Sequence, residues 1–298
     1  MSENKVREAI INIDHANYDS AMDSCMEALK LNVFNSDAYY VMGRLCEHKK
    51  DYNKAFLLYE QAEFLNDGKD NNIEISELKE DDNNYQTVDI NDLSIIVINN
   101  NQKEYLKLCL ESIRRYCNSN VEIIVVDNKS DDGSAEWLSE QDGIKAVLCK
   151  DKKNFSELLK VGVNQTHSNN DILLLNGPCI LMPNSALNMR ISLYSENILG
   201  AIGAVTNKTD NNDQKVFVKA NSFKEYMDFA KQNNCEVSKS LYKEYVSDFA
   251  IMIKRKAFNN LELDSINEDN YSEYKLSVEI GRKGYRVMIS NNSYIHRV

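Results

Sequence analysis

Residues 93–134, LSIIVINNNQKEYLKLCLESIRRYCNSNVEIIVVDNKSDDGS, constrain the fold more than any other part of the chain. Leu93–Ile98 is a short apolar run rich in β-branched residues, the composition of a strand buried on both faces. Asn99, Asn100 and Asn101 break it. Leu106, Cys109, Leu110 and Ile113 then recur at helical spacing with charged residues between them. Val121–Val126 is a second buried strand, stopped by Asp127-Asn128 and a Ser130–Ser134 turn. A strand, helix and strand in this order imply parallel strands joined by a right-handed crossover. Ligands of open parallel sheets sit beyond the carboxyl ends of the strands. Asn99–Asn101 and Asp127–Asn128 are therefore expected side by side at one crevice.

The rest of the second half continues the pattern. Further helices are expected at Ala135–Glu140, Phe155–Val163, Ala186–Tyr194, Phe223–Ala230 and around Leu276–Ile280. Strands are expected at Ile144–Leu148, Asp171–Leu175, Leu199–Val205, Val246–Lys254 and Arg286–Ile289. Trp137, the only tryptophan, reads as a core residue. The fold class is α/β, a Rossmann-like, mostly parallel sheet flanked by helices.

The first 66 residues follow a different rule. Tyr18, Ala21, Cys25, Ala28, Leu31 and Asn32 recur 34 positions later as Tyr52, Ala55, Tyr59, Ala62, Leu65 and Asn66. That period belongs to tetratricopeptide repeats, in which small residues let paired helices pack closely. Two repeats fall short of the usual three, so the pair is expected to dock on the next domain or on a partner. Asp67 to Asp92 is rich in Asp, Glu, Asn and Lys and reads as a solvated linker, with one turn of helix at Ile73–Leu78. The division expected is thus residues 1–66 helical repeat, 67–92 acidic linker and 93–298 α/β domain.

A formal net charge of −11 argues against nucleic acid or an anionic membrane as the main partner. The seven cysteines are scattered, with no CxxC pair, and predict reduced thiols in a cytoplasmic protein. No apolar run approaches the roughly 18 residues of a membrane span, and the first residues carry no apolar signal segment.

The stretch VVDNKSDDGS at 125–134, with Asn101 after the preceding strand, resembles the nucleotide-sugar half of family 2 inverting glycosyltransferases of the GT-A fold. The resemblance implies that Asp127 binds the nucleobase and that Asn101 and Asn128 support the nucleotide. Asn154-Phe155-Ser156 is similar to a family segment that lines the donor site; Lys160 stands within it and would reach the diphosphate. LLLN at 173–176 is similar to the strand that leads into the family's Asp-x-Asp-type metal motif. Asn176 falls on its first position and Pro178 on its last, so the divalent-cation site (Mn or Mg) is weakened or absent, because Asn carries no charge and Pro offers no ligand. Residues 270–287, NYSEYKLSVEIGRKGYRV, resemble the family's last helix and put Glu273 on the general-base position, with Glu268-Asp269 as a second acidic pair. His296 matches the family's histidine near the diphosphate or cation, beside Asn176 as a weak metal ligand. The resemblance implies transfer of a sugar from a nucleotide-sugar donor to an acceptor hydroxyl, on a protein or glycan, with inversion. The departures imply a rival, a non-catalytic protein of the same shape that binds a partner enzyme or protein acceptor through its repeats.

Overall fold

The computed structural model describes residues 1–66, 88–118, 120–177, 179–236, 240–263 and 274–298. Ile73–Leu78, Pro178, Glu268-Asp269 and Glu273 lie outside the described residues.

Four helices open the chain: α1 Ser2–Asp14, α2 Tyr18–Leu31, α3 Ser36–His48 and α4 Tyr52–Asn66. They form two antiparallel pairs. Ala21, Ala28, Ala55 and Ala62 are fully buried, so the small repeated residues set the close approach. Gly43 shows how close: a Cβ there would lie 2.5 Å from the Tyr59 ring. The tight turns inside the two pairs correspond as well. Ala16 and Lys50, 34 residues apart, both take the left-handed conformation, with φ of 58° and 61°. The N-terminal segment is a helical repeat at backbone level.

The α/β part comprises β1 Leu93–Asn99, α5 Lys103–Tyr116, β2 Glu122–Asp127, α6 Ser134–Ser139, β3 Lys145–Leu148, α7 Phe155–Val163, β4 Asp171–Asn176, β5 Cys179–Ile180, α8 Ser185–Leu193, β6 Leu199–Val205, α9 Phe223–Asn234, β7 Leu241–Lys243, β8 Ala250–Ile253, α10 Arg255–Phe258, α11 Lys275–Arg282, β9 Arg286–Tyr294 and β10 His296–Arg297. Eight strands form one sheet in the order β3-β2-β1-β4-β8-β6-β9-β7. β3, β2, β1 and β4 run parallel, as do β6 and β9, while β8 and β7 run against their neighbours. Apolar layers cover both faces, which is why β1 and β4 read as unbroken apolar runs. Trp137 packs at the margin of one layer, half-buried, with the Lys107 ammonium 5.8 Å from its ring.

Three strands escape the sequence pattern. β5, β7 and β10 have two or three residues each, too few to carry a period. The expected strand Val246–Lys254 shortens to Ala250–Ile253. Side chains take over its earlier amides: Ser277 Oγ accepts from Val246 N (3.0 Å) and Gln214 Oε1 from Ser247 N (2.6 Å), so that backbone leaves the ladder. In the other direction, α9 runs four residues past the expected Ala230.

The helical pair docks on the sheet through α8. Leu187 and Cys235 belong to the apolar core of the four helices. Tyr39 Oη donates to Asn184 Oδ1 at 2.6 Å. Arg190 pairs with Glu60 at 2.6 Å, both side chains largely buried, and donates to Asn91 O at 3.0 Å. Of the two alternatives, next domain or partner, the chain adopts the first along this flank. A cavity of about 420 Å³ remains in the junction, lined among others by Met22, Met26, Met42, Tyr39, Leu187 and Ile191. Among the described residues no helix is long and apolar enough to cross a membrane.

Candidate functional site

The chain runs from β1 outward through β2 to β3 and then returns to the other side of β1 as β4. The crevice between such strands is where a doubly wound sheet opens to ligand. The register places the strand ends in a row: Asn99 is level with Asp127, and Ile98 with Asn176. Neighbouring strands lie about 4.8 Å apart, so Asp127 and Asn176 end roughly 10 Å from each other. The next strand over continues the row, because Asn176 N donates to Phe249 O at 2.9 Å.

Asp127 is 1% exposed. Its Oδ1 accepts from Asn99 Nδ2 (3.0 Å) and its Oδ2 from Ser130 N (3.0 Å). The carboxylate therefore fixes the turn that follows β2, with lone pairs left over for a further donor. Asn101 holds the facing turn. It is exposed, left-handed (φ 55°), donates its N–H to Ser130 Oγ (2.9 Å) and accepts from Asp131 N (2.7 Å) through Oδ1. Asn128 is buried and clamps the next loop, donating to Lys153 O (3.0 Å) and accepting from Lys153 N (2.8 Å). Asn100 and Lys152 close the rim through a 2.6 Å bond. The sequence block 125–134 is thus a set of interlocked turns, and the structure brings Asn101, Asp127 and Asn128 together as expected.

Asn154 has local work. It is the N-cap of α7, with Oδ1 accepting from Glu157 N (2.9 Å) and Glu157 Oε2 from Asn154 N (3.1 Å), a complete capping box. Lys160 lies in the last turn of this helix, its backbone about 9 Å along the axis from the cap.

At the end of β4, Gly177 takes φ 90° and turns the chain toward β5. β5 pairs with β10, setting His296 against Ile180 and Arg297 against Cys179. His296 is 8% exposed. Its Nδ1 lies 3.1 Å from Tyr294 Oη, and the Tyr226 and Phe223 rings stand 4.4 and 5.7 Å away. Burial pulls its pKa below the ordinary value of 6.5, so the ring is neutral near pH 7. Two residues at this corner were not singled out from the sequence. Asp248, 1% exposed, precedes Phe249 beside the end of β4. Its signal was an acid interrupting the apolar VSDFAIMIK run. Arg297 lies with its guanidinium carbon 5.8 Å from the Phe249 ring; nothing in its sequence position marks it.

The positions of the Asp-x-Asp motif do not fit a divalent cation, and the one acid described at this corner, Asp248, lies on another segment. Asn176 offers a neutral amide and Gly177 nothing, and His296 is packed among aromatic rings. Among the described residues no three His, Cys, Asp or Glu side chains converge as a metal set.

The crevice, the switch in strand order and the interlocked turns define an open α/β domain with a ligand crevice at its strand ends. The family model for glycosyl transferase family 2 matches residues 94–261, more than half of the chain, and the chain belongs to that family. Glu273 and His296 lie beyond the matched segment. Among solved structures, that of GalNAc-T7 with UDP, GalNAc and Mn2+ aligns at a TM-score of 0.53 and 10% identity, over 70% of this chain and 44% of that one. The mannosyltransferase PcManGT from Pyrobaculum calidifontis, in complex with GDP-Man and Mn2+, aligns at 0.48 and 13% identity, over 70% and 57%. TarS 1-349 from S. aureus aligns at 0.47 and 14% identity, over 70% and 60%. The chain thus spans from 44% to 60% of the length of these structures. The first likeness supports a GT-A-like fold. No curated protein sequence matches the chain.

Proposed function

We propose that this chain transfers a sugar from a nucleotide-sugar donor to an acceptor hydroxyl with inversion. The observation that carries the reading is the row of strand ends, Asp127, Asn99 and Asn176, facing one crevice at the switch in strand order. Asp127 and Asn101 hold the nucleotide, with Asn128 and Asn154 shaping the loops behind it. The acceptor oxygen attacks the anomeric carbon. The bond from that carbon to the diphosphate oxygen breaks, and the nucleoside diphosphate leaves with its electron pair. The acceptor proton passes to a carboxylate, the role given to Glu273. A hydroxyl on a protein or a glycan would serve equally as acceptor in this scheme.

The second reading, a non-catalytic partner-binding protein, is favoured by the neutral Asn176-Gly177 at the metal-motif position. One experiment separates the two. Calorimetric titration with UDP, GDP and dTDP, followed by turnover of the sugar donor of whichever nucleotide binds, is expected to show binding and release of the diphosphate. Asp127→Ala should weaken that binding at least tenfold. Binding without turnover in any acceptor mixture would favour the second reading. Unchanged binding in Asp127→Ala would overturn the assignment of the crevice.

A further inference from the structure

A transferase must neutralise the departing diphosphate, and the metal-motif position of this chain supplies no charge for it. We propose that the Arg297 guanidinium takes the cation's place and binds the diphosphate of the donor directly. This rests on the transferase reading above and names how its leaving group is held.

The placement comes from four contacts. Arg297 pairs with Cys179 in the β5–β10 ladder, one residue past the position where the family's last metal-motif acid falls. Its guanidinium carbon lies 5.8 Å from the Phe249 ring. Phe249 O in turn accepts from Asn176 N (2.9 Å) and Cys179 Sγ (3.4 Å). The guanidinium therefore stands at the corner made by the end of β4 and the start of β5. Its charge is felt there: burial pushes the Cys179 thiol up to about 12, and Arg297 pulls it the other way.

The backbone that carries this side chain is also held. Arg297 N donates to Asn207 Oδ1 (2.9 Å), and Asn207 Nδ2 donates back to Arg297 O (2.9 Å). Its Nη1 reaches Lys208 O at 3.4 Å. The backbone is thus pinned on both sides, and Lys208 O anchors one nitrogen of the half-buried guanidinium. A guanidinium is a planar fork of donors able to match two phosphate oxygens at once, which a point charge is not. The first two residues of the 176–178 segment need then only make room: Asn176 donates its backbone N–H inward, and Gly177 has open space where a Cβ would stand.

The test is calorimetry of the full chain with UDP, GDP and dTDP, in EDTA and in Mn²⁺. For the nucleotide that binds, affinities in EDTA and Mn²⁺ should agree within threefold. Arg297→Gln should weaken the diphosphate at least tenfold and the corresponding nucleoside less than threefold. Arg297→Lys, which keeps the charge without the fork, should fall between, and it carries the test if the glutamine variant does not fold. Wild-type affinity raised tenfold or more by Mn²⁺, or variants that bind the diphosphate like the wild type, would overturn the proposal alone. A wild type that binds none of the three nucleotides would overturn the transferase reading, and this proposal with it.

Discussion

His296 is enclosed by Tyr294, Tyr226 and Phe223, and its depressed pKa follows from that burial. The sign of the pH effect is fixed. Between the folded value and 6.5 the unfolded chain binds more protons than the folded one, so the stability from a neutral His296 is full above pH 6.5 and is lost as pH falls below it. The thermal midpoint should drop from pH 7 to pH 5, and His296→Gln should flatten that drop. An unchanged slope in the variant would place the acid sensitivity elsewhere. At this scale the sequence is legible where a residue type sits in a local motif. Asn101, Asp127 and Asn128 arrive together because the turns after β1 and β2 are fixed by contiguous residues. Arg297 is not legible, because what makes it matter is its pairing with Cys179, 118 positions away (297 − 179). Asp248 carried a local signal, an acid within an apolar run, but its place beside the end of β4 depends on the preceding backbone leaving the strand for Ser277 and Gln214.

Asn154 shows how an element competes with a site for one side chain. Its Oδ1 caps α7, and the residue before it, Lys153, is clamped by Asn128 at the end of β2. Asn154→Ala should cost about 1 kcal/mol of stability by loss of the cap, while Asn154→Ser should keep most of it. Urea unfolding of the two variants measures this, and equal losses would mean that the cap is not the source. The long elements were readable because each carries several turns or several buried residues of one pattern. β5 and β10 were not, since a two-residue ladder is specified only by its partner. The loss of residues 246–249 from the expected strand has the same cause, a backbone whose partners are side chains from elsewhere.

The molecule as a whole is tied together by Glu60 and Arg190. Removing one member of a buried pair strands the other charge, at a cost of about 3–5 kcal/mol. Glu60→Ala should therefore destabilise the chain by about that much in urea unfolding, and Arg190→Met together with Glu60→Met should recover much of it. A loss below about 1 kcal/mol for Glu60→Ala would show that the pair is hydrated in solution. The repeat period made the helical part legible, and its incompleteness pointed to docking. Which surface it docks on was not legible, because Tyr39–Asn184 and Glu60–Arg190 join segments with no shared motif. That joint has a bearing on descent. Glu60 and Arg190 are encoded 130 codons apart, and a change at either one alone removes the other's ionic partner. A lineage that shed the first 66 codons would inherit an α8 whose Arg190 keeps Asn91 O but loses its carboxylate, and an uncovered Leu187. The helices and the sheet therefore constrain each other's sequence at this joint.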